Sequence, residues 1–235
     1  MQKTLRPFAA ALAFLAALLL ILAMLFTSLQ LVMHDEDYFY NRYEAYGTAD
    51  MIGISTEDIT RALMQLVYYM EGDVPSIDLT VTENGQEVSM YNDRERLHMV
   101  DVQVLYQSFR TLRNFAVPAA AVLLIAAGAM LEKGSRLRIF AKAYLFGLHT
   151  YALVIGALGV WVAVDFTSFW IKFHHVFFTN DLWILSYATD RMIRICPEQL
   201  FNDIVVRFAL QFIAAAAALG IGAAFAARKK KAANA

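Results

Sequence analysis

Four apolar segments constrain the fold of this chain more than any other feature. Each is long enough to cross the hydrocarbon core of a bilayer, which takes roughly 20 residues of α-helix. They lie within residues 1–32, 105–131, 143–165 and 207–227. The chain is 59% hydrophobic and 17% charged, whereas about 25% of the residues in soluble domains are charged. The sequence therefore predicts a mainly α membrane protein built on a four-transmembrane-helix bundle.

The distribution of lysine and arginine predicts the orientation of these helices. Ten basic residues lie in the N-terminal segment, in the loop 132–142 and in the tail 228–235, and one acid, Glu132, accompanies them. The segments 33–114 and 165–207 hold the other ten basic residues and the remaining twenty acids. Because basic residues concentrate on the cytoplasmic side of membrane proteins, we expect both termini to be cytoplasmic and both long loops to be extracytoplasmic.

The first long loop, residues 33–104, is large enough to fold as a small extracytoplasmic α/β cap between helices 1 and 2. The sequence from Ser55 to Asp58 is typical of a capping box that opens a helix. Asn84-Gly85, flanked by apolar residues at alternating positions, predicts a two-residue β-hairpin. Asp93 is the expected N-cap of the helix that carries His98 into the second apolar segment.

The candidate chemistry starts at His98, near the outward end of the second apolar segment. On a helix His98 shares a face with apolar residues, and Asp101, three positions later, is close enough to contact and orient the imidazole ring. A purely structural interpretation also remains open, in which His98 and Asp101 form an interfacial pair that only positions the helix.

The second loop, residues 166–206, contains an aromatic stripe with a histidine pair. A period of 100° per residue places His174 at the edge of this stripe and His175 on the opposite side, so we expect His174 to face an apolar pocket and His175 to face solvent or lipid headgroups. An aromatic belt at the membrane interface would explain the rings. It does not explain the polar series of His174, Asn180 and Asp181 among them.

Several function classes lack their usual sequence signals. A single cysteine, Cys196, excludes an internal disulfide, and we expect it to be buried filler rather than a nucleophile. The chain has no nucleophile-elbow, zinc-protease or phosphate-loop motif and no basic surface typical of nucleic-acid binding. The histidines and acids of the two loops could in principle bind a metal, but adjacent residues on a helix diverge, so we predict no metal site and no cofactor.

Two sequence blocks resemble the four-span bacterial membrane family that includes the lipoprotein intramolecular transacylase. The first is Glu95-x-x-His98-Met99-x-Asp101-Val102. The second runs from Phe173-His174 through Phe177-Phe178 to Asn180-Asp181-Leu182-Trp183, with Pro197 downstream. The resemblance extends over nearly the whole chain, and it is specific in the histidine-containing blocks.

The resemblance implies an activity and a set of site residues. The family's enzyme moves the sn-2 acyl chain of a diacylglyceryl lipoprotein onto the α-amine of its N-terminal cysteine, which leaves a lyso-form lipoprotein in the bacterial cell membrane. His98 and His174 are the implied catalytic residues, acting by general acid/base catalysis. We expect supporting roles for Asp101, Glu95, Arg96, Asn180 and Asp181. We expect the substrate pocket to contain Trp170, Phe173, Phe177, Phe178 and Trp183, with bilayer lipids as its surroundings.

Two other functions remain open from the sequence. The chain could be a non-catalytic membrane module whose cap binds a lipid or a partner protein. It could also be a metal-dependent membrane hydrolase.

Overall fold

A computed structural model describes residues Gln2–Arg228, with side chains from Thr4 onward. Lys229, Lys230 and Lys231 of the basic tail lie outside the described residues. The elements in chain order are α1 (Gln2–Met33), α2 (Glu36–Tyr46), α3 (Thr48–Ile52), α4 (Thr56–Glu71), β1 (Thr80–Glu83), β2 (Gln86–Ser89), α5 (Asp93–Met130), α6 (Lys133–Val164), α7 (Phe166–Phe177), α8 (Arg191–Ile195) and α9 (Glu198–Arg228).

Helices α1, α5, α6 and α9 are long and apolar enough to cross a membrane, which confirms the predicted four-helix architecture. Helix α5 is a single helix of 38 residues that begins well before the apolar segment predicted from residue 105. Large apolar side chains on these helices remain exposed in the protein alone, among them Val122, Ile125, Leu153, Val160 and Phe225. Such exposure suits a surface that contacts lipid, and the chain is a multi-pass membrane protein.

One compact unit consists of the described residues of Met1–Ser28, Arg110–Val164 and Phe208–Ala235. Its helices approach closely where small residues meet. A Cβ atom on Gly147 of α6 would lie 3.2 Å from the Ile21 side chain and 3.4 Å from Ala17 of α1. The Tyr144 hydroxyl donates a hydrogen bond to the Ala216 carbonyl oxygen of α9 at 3.2 Å. Small residues and interhelical hydrogen bonds of this kind hold helices together in lipid, where apolar burial supplies little driving force.

The second compact unit consists of Leu29–Phe109 and Asp165–Arg207. Helix α4 supplies much of its core, with Ile59, Leu66 and Val67 buried at helical spacing. The Ser55 side chain accepts a hydrogen bond from the Asp58 backbone N–H at 3.1 Å. This contact confirms the predicted start of the helix.

A β-hairpin stands in this unit as the sequence predicts. Strands β1 and β2 pair antiparallel, with Glu83 opposite Gln86, so Asn84 and Gly85 form a two-residue turn. Both turn residues have positive φ, 50° and 81°, as a type I′ turn requires. The Asn84 side chain lies so close to Gly53 that a Cβ atom at position 53 would overlap it. Only glycine fits at that position.

Long-range hydrogen bonds join the two segments of this unit. The buried hydroxyl of Tyr43 in α2 donates to the Ile195 carbonyl oxygen in α8 at 2.8 Å. The cap fold therefore uses residues 165–207 as well as the loop 33–104, and residues 166–206 contain α7, α8 and the start of α9.

The start of α5 corrects one sequence prediction. Asn92, not Asp93, caps the helix: its side-chain oxygen accepts from the Glu95 N–H at 3.0 Å, and the Glu95 carboxylate accepts from the Asn92 N–H at 2.7 Å. This is a reciprocal capping box. The second carboxylate oxygen of Glu95 accepts from the Met192 N–H of α8, and Glu95 is only 1% exposed. One buried carboxylate thus fixes both helix starts.

Replacing Glu95 by alanine should destabilise this unit. The N–H groups of Asn92 and Met192 would lose their acceptor, and each buried unsatisfied group costs about 1–3 kcal/mol. We expect a melting temperature lower by several degrees, at about 2–4 °C per kcal/mol for a chain of this size, measured by thermal unfolding in detergent. Glu87→Ala, at an exposed position of β2, is the matched control. Equal melting temperatures for the two variants would contradict the assignment.

Candidate active site

Helices α5 and α7 bring His98 and His174 together. Their ring centroids lie 6.3 Å apart, although the residues are far apart in sequence. Both side chains are buried, with 8% and 7% of each residue exposed. His175 is exposed, as the helical period predicts.

Aromatic rings surround the two imidazoles. Phe178 packs against both, with centroids 5.4 Å from His98 and 5.6 Å from His174. Trp183 stacks on His174 at 4.7 Å, and Trp170 meets the same imidazole edge-on at 4.8 Å. We refer to these five side chains as the histidine cluster. Its surroundings are apolar enough to strengthen any hydrogen bond formed inside it.

A backbone contact fixes the protonation pattern of His174. Its Nδ1 lies 2.8 Å from the Trp170 carbonyl oxygen, one helical turn earlier. A carbonyl oxygen can only accept, so Nδ1 carries the hydrogen and Nε2 is the basic nitrogen of the neutral ring. Burial lowers the pKa of His174, and the nearby His175 lowers it further, while the bond to Trp170 partly offsets both effects.

His98 has a different environment. Its Nδ1 is buried and has no hydrogen-bond partner among the described residues. The Asp101 carboxylate, expected to orient this ring, instead accepts a hydrogen bond from the Asn180 side-chain amide at 2.9 Å. Residues three apart on a helix share a face only approximately, and the turn after α7 brings Asn180 within reach of Asp101. The structure therefore does not show the expected contact between His98 and Asp101.

The other residues expected to support the site hold its framework. Glu95 binds backbone groups, as described above. The Arg96 guanidinium pairs with Asp78 at 2.6 Å and Asp93 at 2.8 Å, and the contact with Asp78 attaches α5 to the loop before β1. Asp181 takes part through its backbone carbonyl oxygen, which accepts from the Arg94 side chain.

The aromatic residues expected to form a pocket continue outward from the histidine cluster along α7. Phe173 packs against His174 at 5.7 Å and against Phe177 at 4.8 Å. Phe177 also meets Phe109 of α5 edge-on at 5.7 Å. At 41% exposure, Phe177 forms the accessible end of this row of rings.

Two polar contacts at the site were missed by sequence reasoning. Asn92 donates to the Asp190 carboxylate at 2.7 Å, and Arg94 reaches the Asp181 carbonyl. Burial raises the pKa of Asp190, but hydrogen bonds from Ser186, Asn92 and Thr189 outweigh that effect and lower it. Both contacts span nearly ninety residues or more of sequence, so no local pattern could indicate them.

Two other kinds of chemistry find little support in this geometry. Within residues 2–228, no three His, Cys, Asp or Glu side chains converge as a metal site requires. Cys196 is partly exposed, yet burial of its thiol, together with the nearby Glu95 carboxylate, raises the pKa of Cys196 to about 12. A thiol with that pKa is a poor nucleophile near neutral pH.

The ¹⁵N chemical shifts of the His174 ring test this description of the site. We expect a neutral ring protonated at Nδ1 at pH 7, with a protonation midpoint below the ordinary value of 6.5, because burial favours the neutral form. His174→Ala assigns the signals, and the exposed His175 provides an internal comparison. A ring protonated at Nε2, or charged at pH 7, would contradict the geometry.

The fold is similar to three solved structures of the membrane-integral lipoprotein intramolecular transacylase Lit from Bacillus cereus. The first has a TM-score of 0.73 at 15% identity, and the match covers 93% of this chain and 95% of the Lit chain. The second, in which one histidine is replaced by alanine, has a TM-score of 0.70 at 14% identity, and the match covers 95% of this chain and 94% of the Lit chain. The third, in which one histidine is replaced by arginine, has a TM-score of 0.71 at 14% identity, and the match covers 96% of this chain and 93% of the Lit chain.

At this low sequence identity the structural matches show a shared fold only. The family assignment comes from the sequence. No curated protein sequence matches the chain. The family model for the lipoprotein intramolecular transacylase Lit, however, matches residues 14–201, a range that contains both His98 and His174. This chain therefore belongs to the lipoprotein intramolecular transacylase family.

Proposed function

We propose that this chain transfers the sn-2 acyl chain of a diacylglyceryl lipoprotein to the α-amine of its N-terminal cysteine and releases a lyso-form lipoprotein. The observation that carries the proposal is the buried pair of His98 and His174, in a chain that belongs to this family. An imidazole pair among aromatic rings can move protons at neutral pH beside a lipid substrate.

His174 acts as the general base. Its Nε2 has the free lone pair, because Nδ1 donates to the Trp170 carbonyl oxygen. A peptide α-amine has a pKa of about 7.7–8.0, so a substantial fraction is already neutral near pH 7. As the amine attacks the ester, its nitrogen becomes acidic and Nε2 takes the proton. General-base assistance of this kind is typically worth about 10²–10⁴-fold in rate.

His98 acts as the acid. The new C–N bond forms as the ester carbonyl opens to a tetrahedral intermediate, and the bond to the glycerol oxygen then breaks. The departing oxygen takes a proton from His98 while His98 receives one from the protonated His174, so His98 never becomes an imidazolate and both rings return to the neutral state. In total, one proton moves from nitrogen to oxygen, an ester becomes an amide, and no water is consumed.

The reaction needs no acyl-enzyme intermediate. The amine and the ester belong to one molecule, and effective molarities for oriented intramolecular groups reach about 10⁵–10⁸ M. This agrees with the elevated thiol pKa of Cys196. The site thus needs to orient the substrate and move protons, which aromatic packing and two imidazoles can do.

The row of rings along α7 is suited to the acyl chains. Phe173 and Phe177 continue from the histidine cluster to an exposed edge, where Val176 is also 66% exposed. Apolar groups at this edge would contact fatty tails or bilayer lipids. We assign Trp170, Phe173, Phe177, Phe178 and Trp183 to the substrate pocket.

Replacing either histidine of the pair tests the proposal. We expect His98→Ala and His174→Ala each to abolish lyso-form product, because each removes one proton-transfer group, while the protein remains in the membrane. His175→Ala should keep most of the activity, since His175 is exposed and lies outside the buried pair. Mass spectrometry of lipoprotein N-terminal peptides measures the product.

Two outcomes would favour other functions. If cells expressing the wild-type chain contain only diacyl peptides with free amines, the chain is a binding module rather than an enzyme. If a chelator abolishes activity and zinc restores it, the chain is a metal-dependent enzyme.

We also propose that both termini are cytoplasmic and that the unit containing the hairpin is extracytoplasmic, on the basis of the positive charge at both ends and in the loop 132–142. Accessibility of single cysteines in a Cys196→Ala background measures this. A cysteine at exposed Glu87 of β2 should react with an impermeant maleimide in intact spheroplasts, whereas one at exposed Gly134, in the first turn of α6, should react only after lysis. The reverse pattern would contradict the orientation.

A further inference from the structure

An unpartnered indole N–H lies in the histidine cluster. Within the described residues, five buried side-chain polar atoms lack a hydrogen bond, and two of them belong to this cluster: His98 Nδ1 and Trp183 Nε1. An indole N–H can only donate. Leaving a buried donor unsatisfied costs about 1–3 kcal/mol, so a donor kept in this state beside a pair of histidines suggests a partner from outside the chain.

The packing of Trp183 limits where that partner can be. Its ring lies nearly parallel to His174, with an interplanar angle of 29° and centroids 4.7 Å apart. The N–H bond lies in the indole plane, so it runs alongside the imidazole instead of pointing into its face. The donor is therefore held beside the proposed base.

Two neighbouring donors, one on this turn and one on α5, already have partners. The Asn180 amide donates to the Asp101 carboxylate, and the Arg94 guanidinium donates to the Asp181 carbonyl. Both contacts are exposed, and together they attach the turn to α5. They hold the turn in place, so the Trp183 N–H keeps a fixed position beside His174.

We propose that the Trp183 Nε1–H donates a hydrogen bond to the acyl carbonyl oxygen of the substrate as that oxygen becomes negatively charged. This inference rests on the proposed transacylase function. When the amine attacks, the carbonyl π electrons move onto oxygen, and the indole keeps its proton while it stabilises the charge. The electron pair returns to re-form the carbonyl as the bond to the glycerol oxygen breaks.

The physical gain comes from a fixed donor shielded from water. A preorganised hydrogen bond to an oxyanion stabilises the transition state more than the neutral ester, and loss of one such donor typically lowers kcat about 10²–10³-fold. Stacking on His174 also keeps this donor close to the proposed base.

Replacing Trp183 by β-benzothienylalanine tests the inference, because sulfur takes the place of the N–H while the shape of the ring is kept. We expect kcat to fall about 10²–10³-fold, with KM and the melting temperature close to those of the wild-type protein. Trp183→Phe should show a similar loss of kcat. The same benzothienyl replacement at Trp161 of α6 is the matched control and should leave kcat unchanged.

The outcomes separate this inference from the proposed function. A wild-type protein that makes no lyso-form product overturns the proposed function. An active wild-type protein whose benzothienyl variant has an unchanged kcat overturns the inference alone. An unchanged kcat with a lower melting temperature also overturns it, since the N–H would then serve only to contact the His175 ring, which lies perpendicular to Trp183 at 5.1 Å.

Discussion

The burial of two imidazole rings among aromatic side chains is the constraint on which the rest of this site depends. In a hydrolase triad a carboxylate orients the histidine and stabilises its charged form. Here, within the described chain, neither His98 nor His174 hydrogen-bonds to a carboxylate. A backbone carbonyl orients His174, and burial favours its neutral form. A proton taken up in such a place is held weakly, which suits rapid transfer onward to a leaving group.

The fold keeps this arrangement with polar contacts placed outside the aromatic rings. Glu95, one turn before His98, joins the start of α5 to α8 through backbone N–H groups. Asn180 and Arg94 attach the turn after α7 to α5. The contacts between Glu95 and Met192, Asn180 and Asp101, and Arg94 and Asp181 each join residues at least 79 positions apart. The acids and amides near the histidines therefore determine where the imidazoles lie, and the imidazoles carry the proposed proton transfers.

Local patterns predicted much of the fold. Hydropathy indicated the four long helices, the Asn84-Gly85 pair indicated the hairpin, and the helical period separated buried His174 from exposed His175. Capping chemistry was less decisive, because Asn92 and Asp93 are both good caps and only the reciprocal bond with Glu95 distinguishes them. The pairing of Asp101 with Asn180 instead of His98 depends on how the turn after α7 folds back. No periodicity in the sequence encodes that return, and the same holds for the contact between Glu95 and Met192.

The central claim is that His98 and His174 act as one catalytic unit, and a double-mutant cycle tests it most directly. Rates of lyso-form production would be measured for His98→Gln, His174→Gln and the double variant in purified, folded protein. Residues that act as a unit show strongly non-additive losses. The account predicts that the double variant is about as slow as the slower single variant. Losses that multiply, so that each histidine contributes independently of the other, would contradict it.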